Sequence, residues 1–340
     1  MHEEEMNGFH VLRAGRGPGK FKTVTFVLGC LWHLWRLRDS YEIIHAHLLF
    51  GPAFSAALAG RILGKRVIAK LGASGMYGEI HIAQRSSRGR LTLALVRRWL
   101  NALVVLDDDM KQEAMSAGFS ADRVIQMDNG IDAMSFNSTR SREDEKTALG
   151  MTDKTVVLFV GRLVQQKSLP TLLQAIKLAV QFSPKLHLML VGSGAERESL
   201  EALTRSLGIQ EFVTFAGNQA DVRPFLRAAD IFVLPSEKEG MSNALLEGMA
   251  SGLACLATPV GASPKLLDHG ASGLLLPVGD ISAWSNALVG LGNSPNRRAE
   301  LGQAARQQVM KVYDFSVVGA RYQMLYESLT RHTVSRTETA

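Results

Sequence analysis

Two carboxylates stand eight positions apart in the stretch EGMSNALLEGMASG, at Glu239 and Glu247. The apolar run IFVLP before them predicts a buried strand, and good helix formers at 244–250 follow the intervening loop. Ser242 and Asn243 are residue types that cap the N-terminus of a helix. Glu239 is therefore expected in a loop at the carboxyl end of a strand, and Glu247 about two turns into the next helix.

This arrangement would place the backbone N–H groups of a helix N-terminus between the two carboxylates, and such groups bind anions. Ligands of open α/β sheets bind at the carboxyl ends of the strands. The combination suits a molecule with hydroxyl groups at both ends and a phosphate in the middle, such as a nucleotide sugar. Strand–loop–helix units with surface glutamates are also common, so the spacing alone leaves a purely structural role open.

Two cations follow another apolar run in the same half of the chain. The run TVVLFVG ends at Gly161, Arg162 comes next, and Lys167 lies in the same loop. Arginine offers a planar fork of donors and lysine a point charge, so together they could clamp a diphosphate; solvated loop cations are the alternative. The sequence VGSG at 191–194 lacks the full spacing of a dinucleotide-binding fingerprint, and no Walker A motif occurs.

The elements that would position these groups alternate between strand and helix patterns. In the first half we predict strands at 9–13, 41–49, 66–72, 102–108 and 124–130 and helices at 23–38, 52–63, 88–100 and 110–118. In the second half we predict strands at 155–161, 186–194, 212–217, 231–235, 254–258 and 273–277 and helices at 169–182, 196–207, 219–229, 281–291, 297–312 and 315–330. Such alternation predicts an α/β fold with two doubly wound parallel sheets.

The domain boundary is predicted in the polar segment 137–154, which has little apolar content. We expect an N-terminal domain at 1–150 and a C-terminal nucleotide-sugar-binding domain at 151–313. A helix at 314–330 is expected to pack back towards the N-terminal domain, and the polar tail at 331–340 to be disordered.

The composition argues against a disulfide-rich secreted protein and against a membrane-spanning protein. Among 340 residues, 46% are hydrophobic and 21% charged, as in globular proteins with a sizeable core. Cys30 and Cys255 have no partner at metal-binding spacing, which favours free thiols in a reducing compartment. The N-terminus carries acidic residues at 3–5, and no apolar run reaches about 18 residues. We therefore expect a cytoplasmic protein without a membrane span.

The net charge of +6 is concentrated in the first third, where residues 10–100 contain fifteen Lys and Arg but three acids. Basic surfaces attract phosphates, anionic lipid or nucleic acid, and nucleic acid is not expected as a partner because no aromatic platform accompanies the charge. Five arginines cluster in or beside one predicted helix that also carries leucines: Arg85, Arg88, Arg90, Arg97 and Arg98. That helix could rest on an anionic membrane, or its leucines could pack on the sheet. Trp32 and Trp35 are expected in the core rather than in lipid.

His45 and His47 flank Ala46 in a predicted strand, so their side chains point to the same side. No third ligand stands nearby at suitable spacing. We therefore predict no metal site, and expect these histidines to be satisfied near the end of a strand.

Taken in order, the motifs resemble those of retaining glycosyltransferases of the GT-B fold, family 4 (glycosyl transferases group 1). The carrying residues are Val160 to Leu163 with Lys167, LMLVGSG, AADIFVLPSEKEG, the pair Glu239 and Glu247, ASGLACLATPVGA and ASGLLLP, with weaker matches in YEIIHAH and MDNGID. The resemblance covers about residues 40–330. Three features depart from the family pattern. Family members usually begin with a strand, a glycine-rich loop and a helix that this sequence does not contain. In addition, Lys70-Leu71-Gly72 stands where many members have a histidine, and Lys265 replaces a commonly acidic residue.

The resemblance implies roles for individual residues. Arg162 and Lys167 would bind the donor diphosphate, Glu239 would contact the donor sugar, and Glu247 would bind the ribose hydroxyls. These three charged groups, Arg162, Lys167 and Glu239, are the predicted catalytic residues. The other predicted donor-binding residues are Gly161, Gly240, Met241, Ser242 and Asn243. Lys70 and Gly72 are predicted on the acceptor side, in the domain that holds acceptors in this family.

The function expected from this resemblance is transfer of a sugar, with retention of configuration, from a nucleotide-diphosphate-sugar to an acceptor. The expected acceptor is a lipid-linked or polysaccharide glycan, with no cofactor or metal required, and the enzyme would act in the cytoplasm or at the inner face of the plasma membrane. Two alternatives stay open: a catalytically impaired GT-B remnant that binds nucleotide or a partner, and another GT-B enzyme such as a sugar-nucleotide epimerase or phosphorylase.

Overall fold

A computed structural model of the chain describes residues 3–6, 8–14, 22–73, 75–137 and 140–337. The chain divides into two compact units. The first contains residues 1–127 and 320–340, and the second contains residues 128–319.

The first unit contains an antiparallel hairpin and a four-stranded parallel sheet. The hairpin strands are β1 (Glu3–Met6) and β2 (Phe9–Leu12), and the sheet strands are β3 (Ile43–His47), β4 (Arg66–Lys70), β5 (Ala102–Val105) and β6 (Val124–Gln126), in the order β3-β4-β5-β6. The helices are α1 (Lys22–Arg36), α2 (Gly51–Leu63), α3 (Glu79–Gln84), α4 (Ser87–Trp99) and α5 (Asp108–Ser116). The second strand of the hairpin was predicted; its partner β1, a run of acids and one methionine, has no apolar alternation that would predict it.

The second unit contains a six-stranded parallel sheet. Its strands are β7 (Thr155–Val160), β8 (Leu186–Val191), β9 (Val213–Gly217), β10 (Ile231–Leu234), β11 (Ala254–Ala257) and β12 (Leu274–Leu275), in the order β12-β11-β10-β7-β8-β9. Its helices are α6 (Arg142–Ala148), α7 (Leu169–Ala179), α8 (Arg197–Leu207), α9 (Arg223–Ala228), α10 (Asn243–Ala250), α11 (Ser263–Leu266), α12 (Ile281–Gly292) and α13 (Pro295–Val312). The predicted α/β class with two parallel sheets is thus confirmed.

The strands of the second sheet are almost continuously apolar because helices cover both faces of such a sheet. Every residue of β10 and β11 is buried. Helix α10 packs especially close to β10: a Cβ atom at Gly248 would lie 2.6 Å from the Phe232 ring. The sequence around Glu247 is therefore held against the sheet by a glycine that no larger residue can replace without displacing Phe232.

The boundary between the units lies at 127/128, earlier than the predicted 150/151. Helix α6 lies in the polar segment that was predicted to be a surface connection. Its Lys146 Nζ lies 2.8 Å from Asp230 Oδ2, and Glu145 accepts a 2.9 Å hydrogen bond from Arg227 Nε. Both α6 side chains are buried. Charges that look solvated in the sequence are thus paired in the second unit, which is why composition misplaced the boundary.

The last helix, α14 (Phe315–Thr337), begins in the second unit and ends in the first. Leu325 belongs to the core cluster of the first unit with Ile68 and Val104, and Tyr322 and Tyr326 pack against that cluster. The helix continues past the predicted start of the tail at 331, because residues 331–337 contain no glycine or proline that would end it.

The end of β3 carries a group of titratable side chains. The rings of His45 and His47 stack with centroids 4.8 Å apart, and His45 Nδ1 lies 2.8 Å from the Tyr326 hydroxyl. Lys70 Nζ lies 5.6 Å from the Tyr322 ring centroid, on the same side of the sheet. Burial, with the positive charges of His47 and Lys70, lowers the pKa of His45 from 6.5 to about 4. His45 is therefore neutral in the folded protein at pH 7.

This lowered pKa predicts that acid destabilises the first unit. Between pH 6.5 and about 4 the unfolded chain takes up a proton at His45 that the folded chain does not, so stability is lost as the pH falls through this window. We expect the thermal unfolding midpoint to fall less steeply between pH 7 and 4.5 in His45→Asn, whose amide can still meet Tyr326. Burial also lowers the pKa of His47 and His187, so both contribute to the pH dependence of the unfolding midpoint that remains in His45→Asn. Equal slopes in both proteins would contradict the prediction.

Candidate functional site

Glu239 lies in the loop after β10, as predicted, and its carboxylate is already engaged. Oε1 forms an ion pair with Lys167 Nζ and accepts a 2.6 Å hydrogen bond from the Ser236 hydroxyl. The side chains of Lys167 and Glu239 are only 12% and 11% exposed. Because β7 and β10 are neighbours in the sheet, the loops that follow them meet at its carboxyl edge.

Further hydrogen bonds join the two loops. Gln166 Nε2 donates to the Lys238 carbonyl at 2.7 Å, and the Gln166 carbonyl accepts from the Glu237 N–H at 2.9 Å. On the other side, the Gly240 carbonyl accepts from the Ala262 N–H at 2.8 Å. The loop that carries Glu239 is therefore held from both sides.

Glycines allow the loops after β7 and β8 to approach each other. A Cβ atom at Gly192, where φ is +140°, would lie 1.9 Å from the Gly161 carbonyl oxygen. A Cβ atom at Gly194 would lie 2.2 Å from the Leu163 carbonyl oxygen. The glycines of VGSG therefore serve close backbone packing beside Gly161 and Arg162.

A cavity of about 250 Å³ opens where β7, β8 and β9 end. Gly161, Arg162, Ser193, Asn218 and Gln219 contribute to its wall. The Arg162 side chain is exposed and has no hydrogen-bond or ion-pair partner among the described residues. Of the two predicted cations, Lys167 is thus paired with Glu239, and Arg162 is available to a ligand.

The N-terminus of α10 has the predicted cap: the Ser242 hydroxyl accepts a hydrogen bond from the Leu245 N–H. Asn129 holds the residues next to it. Its Nδ2 donates to the Met241 carbonyl at 3.1 Å and to Asn243 Oδ1 at 2.9 Å. A loop from the start of the second unit therefore positions the predicted donor-binding residues.

Glu247 is the fifth residue of α10, so it lies just over one turn into the helix rather than two. The cap at Ser242 leaves only four helical residues before Glu247, so the helix makes little more than one turn by that point. The Glu247 side chain is half-buried, and burial raises its pKa above 4.5. Its carboxylate has no partner among the residues that the structure describes, so it is ready to accept hydrogen bonds from a ligand.

The residues that sequence reasoning missed are those that support the site: Ser236, Gln166, Asn129 and Gly192. Lys265, noted as a departure from the family pattern, forms an ion pair with the buried Asp128, next to Asn129. Ser236 and Gly192 both lie in motifs that the sequence analysis identified, but nothing local in the sequence shows which residues they contact.

The predicted acceptor-side residues lie in the first unit. Lys70 ends β4, and the Gly72 N–H donates a 2.9 Å hydrogen bond to the buried carboxylate of Glu79. Glu79 Oε2 also accepts from the Ala73 N–H at 3.2 Å. The backbone after β4 is thus shaped by Glu79.

Among the described residues, no three His, Cys, Asp or Glu side chains are grouped so that they could hold a metal ion. Nor does any described helix combine the length and apolar composition needed to cross a bilayer.

Solved structures with the GT-B fold are similar to this chain. HepE from Anabaena, solved with UDP and glucose, superposes with a TM-score of 0.78 at 20% identity, covering 92% of this chain and 83% of HepE. Sucrose-phosphate synthase from Thermosynechococcus elongatus gives 0.77 at 22% identity, covering 97% and 85%. At these identities the likeness concerns the fold, so the chain has the GT-B fold.

Within the second unit, residues 154–294 match the model of the family Glycosyl transferases group 1. The lipopolysaccharide core biosynthesis glycosyltransferase LpsE of Rhizobium meliloti is 31% identical over 176 residues, 52% of this chain and 51% of LpsE. N-acetyl-alpha-D-glucosaminyl L-malate synthase of Bacillus anthracis is 25% identical over 305 residues, 86% of this chain and 76% of that enzyme. The chain thus spans about half the length of LpsE.

Proposed function

We propose that this protein is a retaining glycosyltransferase that moves a sugar from a nucleotide-diphosphate-sugar donor to an acceptor. The observation that carries the proposal is the arrangement at the carboxyl edge of the second sheet. There, Lys167 pairs with Glu239, Arg162 is exposed, and the Glu247 carboxylate of α10 has no partner among the described residues. HepE, which has the same fold, has been solved with UDP-glucose.

The donor would bind with each part against a matching group. The cavity of about 250 Å³ at the ends of β7, β8 and β9 would take the base, and Glu247 would accept hydrogen bonds from the ribose hydroxyls. Arg162 and the N–H groups at the start of α10 would face the diphosphate. Glu239, held by Lys167 and Ser236, would meet the sugar hydroxyls.

In the reaction, the bond between the anomeric carbon and the diphosphate oxygen breaks, and its electron pair stays on the leaving group. The acceptor oxygen bonds to the anomeric carbon, and its proton leaves with the nucleotide diphosphate. Negative charge on the leaving group is greatest in the transition state, so Arg162, Lys167 and the α10 amides would stabilise that state most. These groups would supply the positive charge that stabilises the leaving group, so we propose that the reaction needs no metal or cofactor.

The acceptor is proposed to be a lipid-linked or polysaccharide glycan, reached by the enzyme at the cytoplasmic side of a membrane. LpsE, by its name, acts in lipopolysaccharide core biosynthesis. The first unit, which carries the basic residues, would hold such an acceptor near Lys70 and Gly72.

Replacing Glu247 with Ala is expected to weaken nucleotide diphosphate binding by about 1–3 kcal/mol, because the ribose hydroxyls lose their acceptor. Calorimetry with a panel of nucleotide diphosphates measures this. Binding to the wild type should also weaken as the pH falls through the raised pKa of Glu247, since its protonated form is a poorer acceptor. Glu237→Ala, an exposed carboxylate in the loop before α10, is the matched control. Equal affinities of Glu247→Ala and wild type would exclude the ribose assignment.

The non-catalytic remnant is the competing proposal. It predicts tight nucleotide binding with no sugar transfer or donor hydrolysis for any donor. A sugar-nucleotide epimerase would instead convert the donor without an acceptor and leave the sugar in a different configuration. Product analysis by mass spectrometry and NMR distinguishes the three.

A further inference from the structure

The outer side of α1 carries a stripe of exposed apolar side chains. Val24, Leu28, Trp32 and Trp35 follow one another at helical spacing and are 54%, 60%, 42% and 55% exposed. The opposite side faces inward, where His33 is buried. Contiguous exposed apolar side chains on one helix face mark an interaction surface rather than a chance distribution.

Cations outnumber acids beside this stripe. Helix α1 itself contains Lys22 and Arg36 and no acid, Arg38 follows it, and the exposed Asp39 lies 3.7 Å from Arg38. At the C-terminal end of α1, two of them lie over the exposed indoles: the guanidinium carbon of Arg36 is 5.5 Å from the Trp32 centroid, and that of Arg38 is 5.0 Å from the Trp35 centroid. Indoles flanked by cations match the boundary between lipid headgroups and acyl chains.

The basic helix α4, which the sequence predicted as the membrane contact, presents a different surface. Its Leu93 and Val96 are buried, whereas Leu91 is exposed. Two of its arginines bond within the unit: Arg97 donates to the Ala117 carbonyl at 3.0 Å, and Arg90 to the Gln84 carbonyl at 3.1 Å. Helix α4 therefore offers charge but little outward apolar area.

We propose that α1 is a membrane-docking helix, which lies in the plane of an anionic bilayer with Val24, Leu28, Trp32 and Trp35 inserted among the lipids. Apolar burial and attraction of the surrounding cations to anionic headgroups together supply the binding. This inference deepens the proposed function, because it places the first unit against a surface that would display a lipid-linked acceptor.

The test is partition of the full chain onto vesicles of phosphatidylcholine with phosphatidylglycerol, compared with phosphatidylcholine alone. We expect binding to the anionic vesicles, weakened by salt. The double variant Leu28→Gln/Trp35→Gln should bind at least about tenfold more weakly, because both changes remove apolar area from exposed positions. The matched control is Leu178→Gln/Phe182→Gln, two exposed apolar residues of the second unit, which should bind like wild type. Brominated lipids should quench the exposed tryptophans of α1 but not Trp284, which is fully buried.

Several results would overturn the proposal. The first is a wild-type protein that stays in the supernatant at low salt. The second is vesicle binding by Leu28→Gln/Trp35→Gln that equals wild type. The third is loss of binding in Arg97→Gln/Arg98→Gln while the α1 variant is unaffected. A change from dimer to monomer in Leu28→Gln/Trp35→Gln, measured by light scattering, would assign the stripe to self-association instead. Nucleotide binding is measured without vesicles, so failure of the docking proposal leaves the donor assignment standing, and the reverse also holds.

Discussion

Replacing Lys167 with alanine is expected to lower the rate of donor turnover about 100-fold, because the cation that we propose to face the leaving diphosphate is lost. The rate is measured as release of nucleotide diphosphate from a panel of nucleotide-sugar donors, with and without acceptor. The loss should appear in kcat more than in KM, since the charge that Lys167 meets is largest in the transition state. Arg162→Ala should show the same pattern without a loss of stability, because Arg162 is exposed.

The ion pair adds a second consequence to Lys167→Ala. Glu239 is largely buried, and without Lys167 its side chain keeps, among the described residues, only the Ser236 hydroxyl as a partner. We expect the free energy of unfolding to fall by about 1–3 kcal/mol. The double variant Lys167→Ala/Glu239→Gln should recover part of this stability but none of the activity, because the amide carries no charge that needs a partner.

Lys177→Ala is the control for this experiment, because Lys177 is an exposed lysine on α7 away from the loop. It should leave both rate and stability unchanged. A Lys167→Ala protein with wild-type turnover would contradict a catalytic role for Lys167. If activity is lost in proportion to stability, and returns with it in the double variant, the pair has a structural role only.

Replacing Gly192 with alanine is expected to destabilise the second unit by about 3 kcal/mol, because two costs add. The backbone angle φ of +140° is unfavourable for alanine, and the new Cβ would lie 1.9 Å from the Gly161 carbonyl oxygen. That oxygen belongs to the backbone and can move only if β7 and the following loop move. Urea unfolding monitored by circular dichroism measures the loss, and nucleotide affinity should fall with it because Gly161 and Arg162 shift.

Gly208→Ala separates the two costs. Gly208 also has a positive φ, +70°, but a Cβ atom there would have nothing within 4 Å. This variant should lose only about 1 kcal/mol and bind nucleotide normally. Equal losses in the two variants would show that backbone strain alone acts at Gly192 and that the close approach to Gly161 does not matter.

Most strands and helices, and their order, could be predicted from local sequence; β1 and α6 could not. The apolar runs before Gly161 and before Glu239 are strands because each is long enough to cross a buried sheet and ends in turn residues. Ser242 caps α10 as its residue type predicts, and Gly64 closes α2 in the left-handed conformation. These features depend on neighbours within a few positions, so local periodicity and cap chemistry were sufficient to predict them.

Which side chains contact each other depends on the fold and could not be predicted locally. Lys167 and Glu239 pair across 72 positions because the strand order places β7 beside β10, and periodicity carries no information about strand order. For the same reason, the ion pairs that bring α6 into the second unit were invisible in its polar composition. The prediction that Trp32 and Trp35 lie in the core was wrong, because both are exposed on α1. An apolar stripe faces solvent or core depending on where its helix packs.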